Sequence, residues 1–171
     1  MKKQPDFRQI FYDYFGSKPK KTTYSIRHDS NRYHDLIFLK SLIHDARFKR
    51  TDLKLRGKKL TIQLERDCWE FGFVKHNESS ELHIANSRLS VSPVFDIDWR
   101  FSIEHEIIPE NELWIHDVII QRESYEILQV IFDGDGWSLH MKASDDDFNM
   151  KIQDLEVPYL YSEKNKTEQK H

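Results

Sequence analysis

Four His-Asp pairs punctuate the chain: His28-Asp29, His34-Asp35, His44-Asp45 and His116-Asp117. Metal-dependent phosphohydrolases use such pairs to hold an ion and activate water. In that chemistry the ligands converge from several long helices, or stand four apart on one, as in His-Glu-x-x-His. Here His34 and His44 are ten apart, which puts them about 80° apart around a helix and nearly three turns along it. No His-x-x-x-His pair occurs anywhere. The pairs therefore read as structural. Asp29 or Asp35 suits a helix cap, His44 and Asp45 mark that helix's end, and His116 alternates with Trp114 and Val118 as a half-buried strand histidine. No metal or other cofactor is expected, and no catalytic residue is assigned.

Other candidate chemistry is as easily explained by structure. "DGDGW" (133–137) lacks the third ligand position and the twelfth-position Glu of a calcium loop. It fits a tight hairpin turn in which Gly134 and Gly136 supply positive φ. Neither a Gly-rich phosphate loop nor a Walker motif is present. "SDDD" (144–147) is a run of like charges, and Asp145, Asp146 and Asp147, with Glu110 and Glu112, form the candidate binding set. Such carboxylates suit a basic partner, because complementary charge raises association rate and sets specificity. Asp96, Asp98 and Glu104 on one strand face add to it. A basic stretch, Arg47 to Lys59, offers contacts to phosphates instead.

The elements that position these residues follow from hydrophobic spacing. Phe7, Ile10, Phe11 and Tyr14 mark a short helix between Pro5 and Gly16. "GSKPKKTTYSIRHDSN" reads as a basic, turn-rich connector. Leu36, Leu39 and Ile43 mark a second helix over about 31–43. From Ala46 the period becomes two. Leu60, Ile62 and Leu64 follow a turn at Gly57; Trp69, Phe71 and Phe73 alternate, and Leu82, Ile84, Leu89 and Val91 carry a further strand. Ile97, Trp99, Phe101 and Ile103 mark the clearest strand, ended by Pro109. "LWIHDVIIQ" and "YEILQVIF" follow, the second apolar on both faces and so central. Then come 137–143 and a last strand through Phe148, Met150 and Ile152.

These spacings predict a mainly β (α+β) fold: an antiparallel β-sandwich or partly closed barrel of eight to nine strands with two short N-terminal helices. The expected core includes Leu60, Ile62, Leu64, Trp99, Phe101, Ile103, Leu128, Val130, Phe132, Leu139 and Met141. Residues 1–160 are expected to form a single domain, helical over 1–45 and β-rich over 46–160, with 161–171 a disordered polar tail.

Composition bounds the setting. A chain of 171 residues can bury a core without staples, and an aromatic content of 13% builds it from few large rings. Cys68 is the single cysteine, so an internal disulfide and a cysteine zinc cage are excluded and a reducing, cytoplasmic setting is expected. No apolar run approaches the roughly 20 residues that span a bilayer, and the first residues lack the apolar stretch of a secretory signal. The net charge of −3 hides an asymmetry: residues 1–75 hold 18 Lys/Arg against 9 Asp/Glu, residues 76–171 hold 8 against 20. The two halves are expected to lie side by side and neutralise each other.

"HDARFKRTDLKLRGKKLTIQL", then "SYEILQVIFDGDGWSLHMKASD" and "KIQDLEV", resembles small bacterial β-rich proteins of unknown function, some grouped with immunity proteins of polymorphic toxin systems. The likeness covers about residues 42–157 and assigns no site residues. It implies an intracellular binding protein; with no catalytic signature in the chain, the expected function is a non-enzymatic protein-binding module, with an immunity-like inhibitor of a toxin as its suggested form. The alternatives are a metal-dependent hydrolase using the His-Asp pairs and a nucleic-acid-binding protein using the basic 47–59 hairpin.

Overall fold

The structure is a computed structural model that describes residues 19–28, 32–102 and 111–163. The first predicted helix, Asp29, Ile103, Glu104, Pro109 and Glu110, and the tail from 164, lie outside the described residues.

Strands follow one another along most of the chain. They are β1 (Thr23–Arg27), β2 (Ala46–Lys49), β3 (Leu53–Arg56), β4 (Lys59–Asp67), β5 (Val74–Lys75), β6 (Ser80–Glu81) and β7 (His83–Ser92). Then come β8 (Val94–Phe101), β9 (Glu112–Ile115), β10 (Asp117–Arg122), β11 (Ile127–Gly134), β12 (Trp137–Ser144), β13 (Asn149–Asp154) and β14 (Tyr159–Leu160). One α-helix is described, α1 (Arg32–Ile43). The large sheet runs β1-β13-β7-β4-β2-β9, with β3 beside β4 and β14 beside β7. A second sheet runs β10-β11-β12-β8, and β5 with β6 makes a small hairpin. All pairings are antiparallel.

The two sheets face each other across the core. Alternation decides this: Leu60, Ile62 and Leu64 of β4, Leu89 and Val91 of β7, and Met150 and Ile152 of β13 are buried and face Leu128, Val130, Phe132, Leu139 and Met141 of the second sheet. Each fully buried side chain of this size contributes about 1.5–3 kcal/mol. The fold is a mostly β, sandwich-like α+β structure with no closed barrel.

Within this frame several local expectations change. The strand number is higher than eight or nine, since short strands β3, β5, β6 and β14 add to the main ones. The connector before α1 contains β1, whose inward Ile26 is fully buried while Thr23 and Arg27 stay exposed. Its Thr-Tyr-Ser-Ile alternation was masked by the basic residues before it. Trp69, Phe71 and Phe73 are not a strand. Trp69–Phe71 is a 3-10 turn, with Trp69 and Phe73 exposed and Cys68 and Glu70 buried. "LWIHDVIIQ" is two strands in different sheets, broken at His116, whose N–H donates to Asp133 O at 2.8 Å. Trp99 and Phe101 are half-buried, because β8 is an edge strand. The residues from 161 begin with a helical turn, in which Ser162 Oγ donates to Glu81 Oε1 at 2.8 Å.

Helix α1 buries Leu39, Leu42 and Ile43 and packs Phe38 against Tyr24 of β1, ring centroids 4.4 Å apart. It stops where Asp45 takes φ +62, a left-handed conformation that Asp tolerates better than most residues. His44 N–H still donates to Lys40 O at 2.8 Å, and Asp45 N–H turns to Ile115 O at 2.9 Å.

Candidate binding faces

Among the described residues the His-Asp pairs do not converge on one site, although Asp45 N–H, donating to Ile115 O, sets His44-Asp45 near His116-Asp117. Asp35 accepts the Tyr24 hydroxyl rather than capping α1. His44 Nδ1 meets its own neighbour Asp45 at 2.9 Å, and His116 Nδ1 faces Asp135 at 3.4 Å instead of Asp117. Asp117 pairs with Lys40 at 2.8 Å. Asp35, His44, Asp45, His116 and Asp117 are thus each engaged locally. Among the described residues no group of three or more His, Cys, Asp or Glu stands close enough to hold a metal ion.

The densest polar cluster is Arg66, which no motif flagged. It lies on the inward side of β4, in line with Leu60, Ile62 and Leu64, and is fully buried. Nε and Nη2 reach Asp154 Oδ1 and Oδ2, both at 2.9 Å. Nη2 and Nη1 reach Glu70 Oε1 at 2.5 Å and Oε2 at 3.0 Å, and Nη1 also reaches Leu42 O at 3.5 Å. Five N–H groups have five acceptors, the full complement of a guanidinium. Ser87 Oγ and Thr22 N–H complete Asp154 at 2.7 and 2.8 Å, and Thr22 Oγ1 donates to Glu70 at 3.0 Å. Burial pulls the Arg66 pKa down, but the Glu70 and Asp154 hydrogen bonds outweigh it and hold it above the ordinary arginine value. Burial pushes the neighbouring Cys68 thiol up, with Glu70 and Asp154 adding to the rise against Arg66. A raised, buried thiol is a poor nucleophile. This cluster locks elements together and offers nothing to a ligand. The signal that could have found it is a charged residue continuing an apolar parity, Arg66 after Leu64 and Asp154 after Ile152.

A groove of about 410 Å³ opens between β2 and β4, which pair at Arg47 and Glu65 alone. Arg47 donates to Glu65 at 2.8 Å and Asp67 at 3.2 Å and lies 5.2 Å over the Trp114 ring. Burial raises the Asp67 carboxyl, offset in part by Arg47. The lining sets Arg47 and Lys49 against Asp52, Glu65 and Glu112, so the groove has little net charge for an ionic ligand.

The outer face of the second sheet is different. Its rows are Asp117-Asp133-Ser138-Arg100, Ile119-Ile131-His140-Asp98 and Gln121-Gln129-Lys142-Asp96. Residues 94–102 and 117–147, the four strands, the loops between β10 and β12 and the turn after β12, carry ten Asp/Glu against three Lys/Arg. All three cations are engaged: Arg100 by Asp98 at 3.0 Å, Lys142 by Glu123 at 2.8 Å, and Arg122 by Asp145. Asp117 and Asp133 stand directly opposite, a like-charge pair that costs stability, and Lys40 relieves one of them. Among the described residues, ion pairs join the basic and acidic halves of the sequence at Lys40–Asp117 and Arg66–Asp154, and Glu112 stands opposite Lys49, while the second sheet's outer face keeps an excess of carboxylates.

The described members of the expected acidic set, Asp145, Asp146, Asp147 and Glu112, do not share one face. Asp145 is 7% exposed, and its carboxylate is held by Arg122 while its N–H donates to Glu126 O at 2.9 Å. It closes the turn into β13. Asp146 and Asp147 are exposed beside it. Glu112 is exposed but belongs to β9 of the other sheet, opposite Lys49. In the "DGDG" turn Gly136 alone has positive φ, at +72. Gly134 is required by crowding instead, since a Cβ there would lie 2.3 Å from Trp114 O and from Trp137 Nε1.

Fold and charge define an antiparallel sandwich-like protein with one acidic sheet face. Comparison with protein-family models, with curated proteins and with solved structures finds no match for this chain.

Proposed function

We propose that the chain is a non-enzymatic protein-binding module that presents the outer face of β10-β11-β12-β8 to a basic partner protein, in the manner of the immunity proteins its sequence resembles. The observation that carries this reading is the uncompensated charge of that face and of the turn after β12: Asp96 and Asp133 on the face and Asp146 and Asp147 in the turn are exposed, and the three cations near them are already paired. At its centre Ile119, 38% exposed, and Ile131 form an apolar row. An apolar middle with a polar rim is the usual anatomy of a protein interface. A toxin that cleaves nucleic acid must be basic where it holds phosphates, and an acidic face complements it.

The test is charge reversal once a partner has been isolated and identified. Asp96→Lys, Asp133→Lys and Asp146→Lys together are expected to weaken the complex at least tenfold, mainly through a slower association rate that no longer depends on salt. Unchanged affinity and salt dependence would overturn the reading, and so would turnover of a small substrate by the purified chain.

A further inference from the structure

The outer face of the large sheet carries the opposite pattern. Register places Lys54, Thr61, Ser90, Lys151 and Ser25 in one row across β3, β4, β7, β13 and β1. Gln63, Arg88, Gln153 and Thr23 form the next row. The Arg56–Lys59 and Arg27–Asn149 pairs lie on the other side of the first row. Every one of these side chains is a cation, a hydroxyl or an amide, and every one is exposed or half-buried. No carboxylate and no aromatic ring interrupts these rows. Lys54, Arg56, Lys59, Arg88 and Lys151 form no ion pair with a described residue. Acids flank this patch rather than interrupt it: Glu65 and Asp67 are committed to Arg47, Glu156 accepts from Asn86, and Glu112 on β9 stands opposite Lys49.

We propose that this face binds the phosphate backbone of a double-stranded nucleic acid without reading its bases. Guanidinium, ammonium, hydroxyl and amide groups are those that contact phosphate oxygens in protein–DNA complexes and fix position without sequence information. The rows on these five strands present no ring to stack unpaired bases, the exposed Trp114 lying beyond them on β9 under Arg47, which favours a duplex over a single strand. Five strands about 4.8 Å apart give a width of about 19 Å, roughly half a turn of duplex at 3.4 Å per step. The acidic sheet on the other side of the sandwich repels phosphates, so a duplex is engaged on one side only.

The experiment measures fluorescence anisotropy of two labelled 20-base-pair duplexes of unrelated sequence, one matching single strand, and binding to vesicles containing anionic lipid. Wild-type protein is expected to bind both duplexes alike, the single strand more weakly, and with a steep salt dependence. Lys54→Glu, Arg88→Glu and Lys151→Glu together, all on the surface, are expected to weaken duplex binding at least tenfold. The slope of log affinity against log salt should become shallower by about 2.7 if each removes one phosphate contact. Circular dichroism confirms that the variant is folded. The proposal is overturned if neither duplex binds at low salt, if the triple variant binds as wild type does, or if one sequence is preferred tenfold. Tighter binding to vesicles than to duplex overturns it in favour of a membrane surface. Light scattering that shows self-association at low salt, abolished by the triple variant, with no duplex bound, overturns it in favour of a second copy. The acidic-face substitutions are expected to leave duplex binding intact, so this inference and the protein-binding reading fail separately.

Discussion

Arg66 and Asp154 stand 88 residues apart in sequence, yet Nε and Nη2 of the guanidinium each lie 2.9 Å from one oxygen of the carboxylate, with neither side chain exposed. The bond ties the end of β4 to the end of β13, and through Glu70, Thr22 and Leu42 it reaches the 3-10 turn, the approach to β1 and the end of α1. Hydrophobic columns running down β4 and β13 end at this point, and the polar cluster closes that end of the core.

Arg66→Met is therefore expected to cost about 3–5 kcal/mol, because it leaves Glu70 and Asp154 buried together without a cation. Asp154→Asn should cost less, since Arg66 and Glu70 remain a neutral pair and the amide oxygen still accepts. Urea denaturation of the two variants measures this. Equal losses, or a smaller loss for Arg66→Met, would show that charge pairing is not what holds this end of the sandwich.

At Gly134 the constraint is space. Gly134→Ala is expected to destabilise the protein by about 1–3 kcal/mol, because the added methyl meets Trp114 O, which is backbone, as well as the Trp137 indole. Gly57→Ala meets nothing within 4 Å but has φ +57, so its cost should be about 1 kcal/mol, the strain of a left-handed alanine. Thermal melts that rank the two the other way would contradict the crowding argument.

Acidic residues adjacent in sequence should respond unequally. Asp146→Lys and Asp147→Lys are expected to change stability by no more than about 0.5 kcal/mol, as surface substitutions do. Asp145→Lys loses the Arg122 bond and brings a second cation beside it, so its denaturation midpoint should fall clearly below those two. Three equal midpoints would mean that the Arg122–Asp145 bond adds nothing to the turn.

Acid should weaken the fold through two histidines. Burial lowers the pKa of both His83 and His140 below the ordinary imidazole value, with Arg100 adding to the effect at His140. Each has a ring Nδ1 buried without a partner. The unfolded chain then takes up protons at a higher pH than the folded one, so stability is full above the ordinary imidazole pKa and declines as pH falls through it toward the folded values. Melting temperature should drop between about pH 7 and pH 5, and NMR titration should find both rings protonating late. A melting temperature that rises over that interval would reverse the sign.

Much of the sandwich was legible because a strand with one buried face must alternate, and Leu60-Ile62-Leu64, Leu128-Val130-Phe132 and Leu139-Met141 do so without interruption. The readings that changed share a cause. Trp69, Phe71 and Phe73 alternate as a strand would, but Cys68 and Glu70 are the buried residues there, because Glu70 is drawn inward to Arg66. His116 sits in an apolar run that looks continuous, and nothing local marks it as the crossing between sheets. The acidic loop was recognised as acidic, but which of its three carboxylates would be consumed depended on Arg122, a residue on another strand.

The sequence by itself determined the antiparallel, β-dominated class, most of the core list, the end of α1 at His44 and Asp45, and the split between a basic first part and an acidic second part. These follow from spacing and composition, which act locally. Tertiary structure alone decided where the charge is displayed. Strand pairing across long sequence separations put β1, β13, β7, β4 and β3 side by side, so their outward cations share one face. It placed β8 beside β12 to complete the acidic one, and it joined Arg66 to Asp154. Register is a relation between distant strands, and no segment of a chain encodes its neighbour.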